Sequence, residues 1–442
     1  MRVLPTVEEW RTLLDCGALD GALAWLYGAA DTERQRARYA ALLDHFSARF
    51  DGAQKAFILS APGRTELCGN HTDHQRGRVL AAAVAADCVA VAAPNGTMRV
   101  ALESEGYAPV ALSLAQLGPA PEEKNSPAAL LRGTAAWLAR SGPVAGFNAV
   151  MCSDVPGGAG LSSSAACGVL FGACLAACAG RPLPPLALAR AAQSAENEYF
   201  GKPSGLMDQL SSAVGGLVKI DFAQAQAPQV ERLDADFARC GLAVILVETG
   251  GSHAGLTASY AAIPRDMRLV AHALGAEVLG EVDPAAFSAA LPALRGRVPD
   301  LALLRALHFF DENARVDAMA AALCGGDAAQ VLALARASGR SSFELLQNVC
   351  PTDPGERSLA LALALTDRFF VSAGVGDGRW ATRVHGGGFA GTIQTLLPVA
   401  QAEDYCAYMA QTFGRGCCHR VSIRPVGVTA LVPERAPAQC TQ

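Results

Sequence analysis

The spacing of apolar positions changes several times along the chain, and each change predicts a change of element. Over residues 1–50, Trp10, Leu13 and Leu14, then Leu23, Leu26 and Tyr27, recur at helical spacing among charges, which predicts helices capping the fold. From residue 57 to 110 the pattern shifts to apolar runs at 57–59, 79–92 and 98–102, read as strands. Residues 119–127 carry proline and charge and read as a solvent loop, and 147–152 as a strand. Residues 165–179 read as a helix, 186–200 as another after the Gly/Pro break at 180–185, and 218–222 as a strand. The Ala/Gln/Pro stretch 223–228 is the best linker, so the expected domains are 1–228 and 229–442. Beyond it, the near-continuous apolar run 242–247 predicts a buried strand, helices dominate 256–365, and 392–397 reads as a strand or helix.

Composition narrows the class. A chain of 442 residues is long enough for two self-supporting cores, and 51% hydrophobic with 17% charged residues is ordinary for a globular protein. The net charge of -5 and the scattered arginines argue against a nucleic-acid or membrane-surface partner. The first ten residues hold no signal-peptide core, and the apolar runs are shorter than the roughly 20 residues of a spanning helix, so a soluble, cytoplasmic protein is expected. Fourteen cysteines occur without any Cys-x-x-Cys pair, and Cys167, Cys174 and Cys178 sit inside an apolar helix. Reduced structural thiols follow, and Cys417-Cys418-His419 reads as packing rather than a metal site.

The candidate chemistry lies in separate stretches. Residues 155–166 run from Gly157, Gly158, Ala159 and Gly160 through Leu161 into Ser162, Ser163 and Ser164, between a strand and a helix. Glycines admit close backbone approach and a helix start offers open amides, so this reads as a phosphate-holding loop, against the plainer alternative of a tight turn with a serine N-cap. It lacks the lysine of a P-loop and the third glycine of a dinucleotide fingerprint. Residues 62–75 pack Arg64, Asn70, His71, Asp73 and His74 between glycine turns, directly after the strand at 57–59. Such hydrogen-bonding groups suit a polyhydroxylated ligand, and their spacing closes no metal site. Residues 195–209 place carboxylates at a helix end, then a Gly/Pro turn, then a lone Asp208, which an N-capping role would also explain. Residues 384–391 form a second glycine-rich loop, whereas 250–254 nearly match a nucleophile elbow without its final glycine, which discounts a serine hydrolase.

Taken in order, these stretches resemble the GHMP kinase superfamily and, within it, the galactokinases: 63–73 resembles the galactokinase signature, 156–166 the ATP phosphate loop, 205–209 the segment bearing the catalytic aspartate, and 385–391 the C-terminal glycine motif. The resemblance implies an α/β (α+β) fold of two domains, ribosomal-S5-like then ferredoxin-like, with the active site in the cleft between them. It implies transfer of phosphate from ATP to the C1 hydroxyl of galactose, with Asp208 and Arg64 catalytic. Asn70, His71, Asp73, Gly205 and Tyr260 would bind sugar. Gly157, Gly158, Ala159, Gly160, Leu161, Ser162 and Ser163 would hold ATP, and Ser164 and Glu196 would hold Mg2+, with Ser163 as a fallback. His253 also has a counterpart. No motif marks the adenine pocket, and a monomer is the favoured state.

The chain departs from the galactokinase pattern at Asn70, where the family carries glutamate, at Thr65-Glu66, where it carries an aliphatic–asparagine pair, and at Ser204, where cysteine is common. The family glutamate accepts from the sugar's 6-hydroxyl. Loss of its charge raises an altered C6 preference, with galacturonate the sharpest candidate and N-acetylgalactosamine another. Ordinary galactose phosphorylation remains the favoured expectation. A non-catalytic sugar and ATP sensor is the alternative of a different class, against which stand Arg64, Asp208, Glu196 and the full serine loop.

Overall fold

The computed structural model describes residues 4–157, 160–235, 237, 239–251, 256–351 and 355–432. Helices α1 (Val7–Asp15), α2 (Asp20–Tyr27) and α3 (Thr32–Arg49) come first, α1 opened by a capping box between Thr6 and Glu9. Strands β1 (Phe57–Cys68), β2 (Arg78–Pro94), β3 (Arg99–Ser104) and β4 (Val110–Ser113) follow, then α4 (Pro127–Ala139) and β5 (Phe147–Ser153). Next come α5 (Ser163–Cys178), α6 (Pro185–Ser194), α7 (Met207–Val214), β6 (Leu217–Asp221) and β7 (Gln229–Leu233). The second half runs β8 (Leu242–Glu248), α8 (Thr257–Ala273), α9 (Pro284–Leu294), α10 (Asp300–Cys324), α11 (Ala328–Ser341) and α12 (Ser358–Ser372). It ends with β9 (Ala381–His385), β10 (Thr392–Pro398), α13 (Ala402–Phe413), β11 (Cys418–Val421) and β12 (Thr429–Ala430).

The first sheet has the order β12-β1-β2-β5-β3-β4, with β6 and then β7 added on β2. The long β2 pairs with β1 along one edge, while its other edge is shared by β6 near the start and β5 near the end. Helical layers cover both faces. Ile58, Val89, Val91 and Ala93 point toward the α1–α3 layer with Trp10, Leu14 and Phe46, while Leu59, Ala90 and Ala92 point toward Val169, Leu170 and Phe171 of α5. A strand buried on both faces has no polar side, which is why residues 79–93 read as one apolar run. The second sheet, β11-β8-β10-β9, is antiparallel throughout. Its chain order, β-α-β-β-α-β with α8–α12 filling the first crossover, gives the ferredoxin-like domain that was expected.

Three readings change and one left open is decided. β1 continues to Cys68, so Arg64, Thr65 and Glu66 lie on a strand rather than in a loop after one, and register shifts at Pro62/Arg64 and Glu66/Cys68 mark the irregularity. The stretch 223–228 connects β6 to β7, its antiparallel partner, so residues 229–233 stay in the first sheet. The step between sheets falls between Leu233 and Leu242; β7 is too exposed to show a strand pattern. The helix expected over 186–200 changes to a π turn over Ala195–Phe200. Residues 392–397 are a strand. Cys167, Cys174 and Cys178 are free thiols, and no helix among the described residues is long and apolar enough to cross a membrane.

One buried carboxylate ties this architecture together. Asp87 of β2 accepts from Tyr27 Oη at 2.6 Å, Arg38 at 2.7 Å, Arg424 at 2.7 Å and the Ser60 hydroxyl. Burial alone would push its pKa up; the guanidinium groups of Arg38 and Arg424 outweigh that and hold it below the usual carboxylate range. Asp87→Ala leaves two arginines without their shared partner, and a loss of about 3–5 kcal/mol is expected for breaking a buried pair this way. Urea unfolding with an unchanged m-value checks it.

Candidate active site

The phosphate loop is fastened to β1 at its far end. Arg64 N–H donates to the Leu161 carbonyl at 3.1 Å, and a Cβ at Gly63 would sit 2.8 Å from the same oxygen, so only glycine allows this approach. Gly160 has φ +72°, and a Cβ there would meet Thr392 Oγ1 at 2.6 Å and His385 Nδ1 at 2.7 Å. The loop is thereby pinned between the two sheets. Gly157 is exposed, Leu161 buries its side chain in the core, and Gly158 and Ala159 lie outside the described residues. So do Ser252 and His253.

Arg64 is buried and points from β1 to the first turn of α7, where its Nε lies 2.7 Å from Asp208 Oδ1. A second guanidinium nitrogen lies 2.6 Å from the same oxygen, and a third donates to the Gly160 carbonyl. The other carboxylate oxygen of Asp208 accepts from the Ser162 hydroxyl. This answers the two plainer readings. Ser162 stands before α5 in left-handed conformation and makes no side-chain cap bond, because its hydroxyl serves Asp208. Asp208 lies inside α7, which has no side-chain cap. Burial would raise the Asp208 pKa; Arg64 and Lys202 more than offset it, so the carboxyl is held ionised below its ordinary value.

Ser164 and Glu196 also meet. The Ser164 hydroxyl donates to Glu196, whose other oxygen accepts from Gln209 Nε2 at 2.6 Å. Glu196 is fully buried, and Lys202 Nζ lies 3.1 Å from Ser164 Oγ and 3.2 Å from Glu196. Consecutive residues Asp208 and Gln209 therefore hold the two clusters in one frame. Ser163 opens α5 beside them. Among the described residues no group of three or more His, Cys, Asp or Glu side chains converges as a closed metal site.

The polar stretch after β1 folds over Asp73, which opens a short 3-10 turn and accepts from His74 N–H at 2.9 Å. Gly205 faces it so closely that a Cβ would fall 1.7 Å from Asp73 Oδ2. The glycine turn after β9 closes the other side: His71 Nε2–H donates to the Gly387 carbonyl at 2.9 Å and Tyr260 Oη to the Gly388 carbonyl at 2.8 Å. Burial pushes the His71 imidazole down to about 4, so it is neutral at physiological pH. Arg64, Asp208, Asp73, Gly205, His71 and Tyr260 thus belong to one connected assembly with the phosphate loop.

Asn70 takes a different place from the other sugar-site candidates. It is only 1% exposed, and its amide N–H groups go to the Gly386 carbonyl at 2.6 Å and to Glu66 at 3.0 Å. Its oxygen accepts from Asn348 Nδ2 at 2.8 Å, and Glu66 in turn pairs with Arg383 at 2.7 Å. The charge absent at position 70 is therefore present one contact away, at Glu66. Relative to the galactokinase pattern, amide and carboxylate have traded places, and the sum of charge at this corner is kept.

Several groups here escaped the sequence reading. His385 accepts from Glu66 N–H at 3.3 Å, bonds Thr65 Oγ1 at 2.9 Å, and burial together with Arg64 and Arg383 keeps it neutral. Arg383 and Asn348 act from other elements, and no local spacing links them to their partners, whereas Lys202 and Gln209 stand in the same stretch as Glu196, 195–209. Glu66 and His385 did stand in quoted motifs, which was the available signal. Asn70→Glu would set two carboxylates against a single Arg383, and a loss of about 3 kcal/mol in urea unfolding is expected from the unpaired buried charge. The double variant Glu66→Asn/Asn70→Glu is expected to recover most of it.

Comparison with known proteins agrees with this geometry. The family model for the GHMP kinases N terminal domain matches residues 129–216, and that for the galactokinase galactose-binding signature matches residues 44–94. Galactokinase from Homo sapiens is 31% identical over 378 residues, covering 82% of this chain and 89% of that protein. Galactokinase from Streptomyces coelicolor is 31% identical over 361 residues, covering 80% and 87% respectively. In fold, the chain is similar to Lactococcus lactis galactokinase complexed with galactose, with a TM-score of 0.74 at 21% identity over 88% of this chain and 98% of that one. A mevalonate kinase shares the fold more distantly, at a TM-score of 0.56 and 14% identity over 83% of this chain and 99% of that one. The Arg64–Asp208 pair against a pinned phosphate loop, on this pair of sheets and with these relatives, places the chain in the galactokinase family of the GHMP kinases.

Proposed function

We propose that this protein phosphorylates galactose at its C1 hydroxyl with ATP, and the observation that carries the reading is the meeting of Arg64, Asp208 and Ser162 at the phosphate loop. Phosphoryl transfer is mainly positioning and charge stabilisation, with little covalent work for the protein. The ionised Asp208 orients the C1 hydroxyl and takes its proton as the hydroxyl oxygen bonds the terminal phosphorus of ATP and the bond from that phosphorus to the ADP oxygen breaks. Arg64 keeps Asp208 charged and adds positive charge where the transferring group passes. Asp73, His71, Gly205 and Tyr260 hold the sugar, and the backbone from Gly157 to Ser163 holds the ATP phosphates.

Mg2+ fits the Ser164–Glu196 corner. Both are oxygen donors, and Mg2+ is commonly held by one or two carboxylates together with substrate phosphates. The Lys202 ammonium pairs with Glu196 and would give way to the ion at that carboxylate. When bound, the ion supplies charge neutralisation on the phosphates.

Galactose is favoured over galacturonate because Asn70 spends both amide N–H groups on Glu66 and Gly386 and offers no free donor to a uronate carboxylate. With ATP and a panel of galactose, N-acetylgalactosamine, galacturonate, glucose and arabinose, galactose should turn over fastest, with phosphate on C1 by 31P NMR. Faster turnover of galacturonate would overturn the substrate reading, and sugar-dependent ATP binding without ADP release would favour a sensor. Asp208→Asn should lower kcat by about 10²–10⁴-fold, as for loss of a general base. Its sugar affinity by calorimetry should stay close to that of the native enzyme.

A further inference from the structure

The polar segment 69–78, which carries His71 and Asp73, is held in a conformation its own sequence does not favour. His71 has φ +59° and Arg76 φ +58°, a region that side-chain-bearing residues rarely occupy, and Gly69 has φ +98°. Such a backbone persists only where its surroundings over-determine it. One face of α10 does so.

Four α10 residues on consecutive turns grip both ends of the segment. At the near end, Glu312 Oε1 accepts from Gly69 N–H at 3.1 Å and from the Cys68 thiol at 3.3 Å, and His308 Nε2–H donates to the Asn70 carbonyl at 2.9 Å. Ser341 Oγ lies 2.8 Å from His308 Nδ1 and fixes that tautomer by donating to it. Ser338 and Arg315 complete the shell of Glu312. At the far end, Asn313 Oδ1 accepts from Arg78 N–H at 2.7 Å. A Cβ at Gly77 would sit 2.7 Å from both Asn313 Oδ1 and the Phe309 ring. His308, Glu312, Ser338 and Ser341 are all buried, and none points at the Asp208 corner.

We infer that His308 and Glu312 are positioning residues for the sugar: they fix the backbone at Gly69 and Asn70, immediately before His71, and so set where His71 and Asp73 stand. The inference rests on the sugar-kinase reading above. The phosphate loop touches β1, α7, His385 and Thr392 instead, so ATP binding is independent of this grip.

The test is steady-state kinetics of the full chain with both substrates varied. His308→Phe keeps the ring volume and removes both hydrogen bonds. It should raise the galactose KM by about tenfold or more, the scale at which small misplacements act. The ATP KM and kcat should stay within about threefold of native, a split that general loss of packing would not produce. His308→Gln, whose amide N–H can still reach the Asn70 carbonyl, should bring the galactose KM most of the way back. If His308→Phe does not fold, Ser341→Ala, which removes only the partner of Nδ1, should show the same split at smaller size. An unchanged galactose KM in a folded variant, or both KM values rising together, overturns the inference. Native enzyme without galactose turnover in the same assay would instead sink the sugar-kinase reading.

Discussion

The contact on which the rest depends is the one between Arg64 and Asp208. A carboxylate taken out of water tends to pick up a proton, and a protonated Asp208 could neither orient nor deprotonate a hydroxyl. The guanidinium prevents this, but only because β1 and α7 are held at a fixed separation. Arg64 also reaches the Gly160 carbonyl, so the group that keeps the acid ionised is the group that anchors the phosphate loop. Charge state and loop position thus share one side chain.

Around this contact the two sheets have divided the work. The first supplies Arg64, Asp208, the serines and Glu196. The second supplies the glycine turn at 386–388, Tyr260 and the face of α10. Beside an apolar cluster that joins Leu67, Leu80 and Ala82 to Val244, Met319 and Leu396, buried polar residues cross between them: Asn70 to Gly386 and Asn348, Glu66 to Arg383, His385 to Thr65. A seam of paired polar groups is directional, since each donor must find its own acceptor. It fixes relative placement in a way that apolar packing, which tolerates sliding, does not.

Much of this was legible in the sequence. Glycine and serine clusters marked the phosphate loop, the polar run after residue 62 marked the sugar segment, and four motifs in order marked the family. What was not legible was contact across elements. Nothing in the spacing of Glu66 and Asn70 said that they touch Arg383 and Asn348, more than 270 positions away, so the missing glutamate at 70 looked like a lost charge. His308 and Glu312 looked like ordinary positions on a long helix. β7, with Gln229, Glu231 and Arg232 exposed, carried no alternation, and the hairpin before it read as a linker.

The Asp87 cluster has a consequence for how the chain is made. Tyr27, Arg38, Ser60 and Asp87 leave the ribosome well before Arg424, which follows Asp87 by 337 positions and lies close to the short strand that pairs with β1. Until that residue arrives, an arginine, a carboxylate and two hydroxyls wait in a core that is still one cation short. A nascent chain stalled before residue 424 therefore lacks both that cation and β12, the edge strand beside β1.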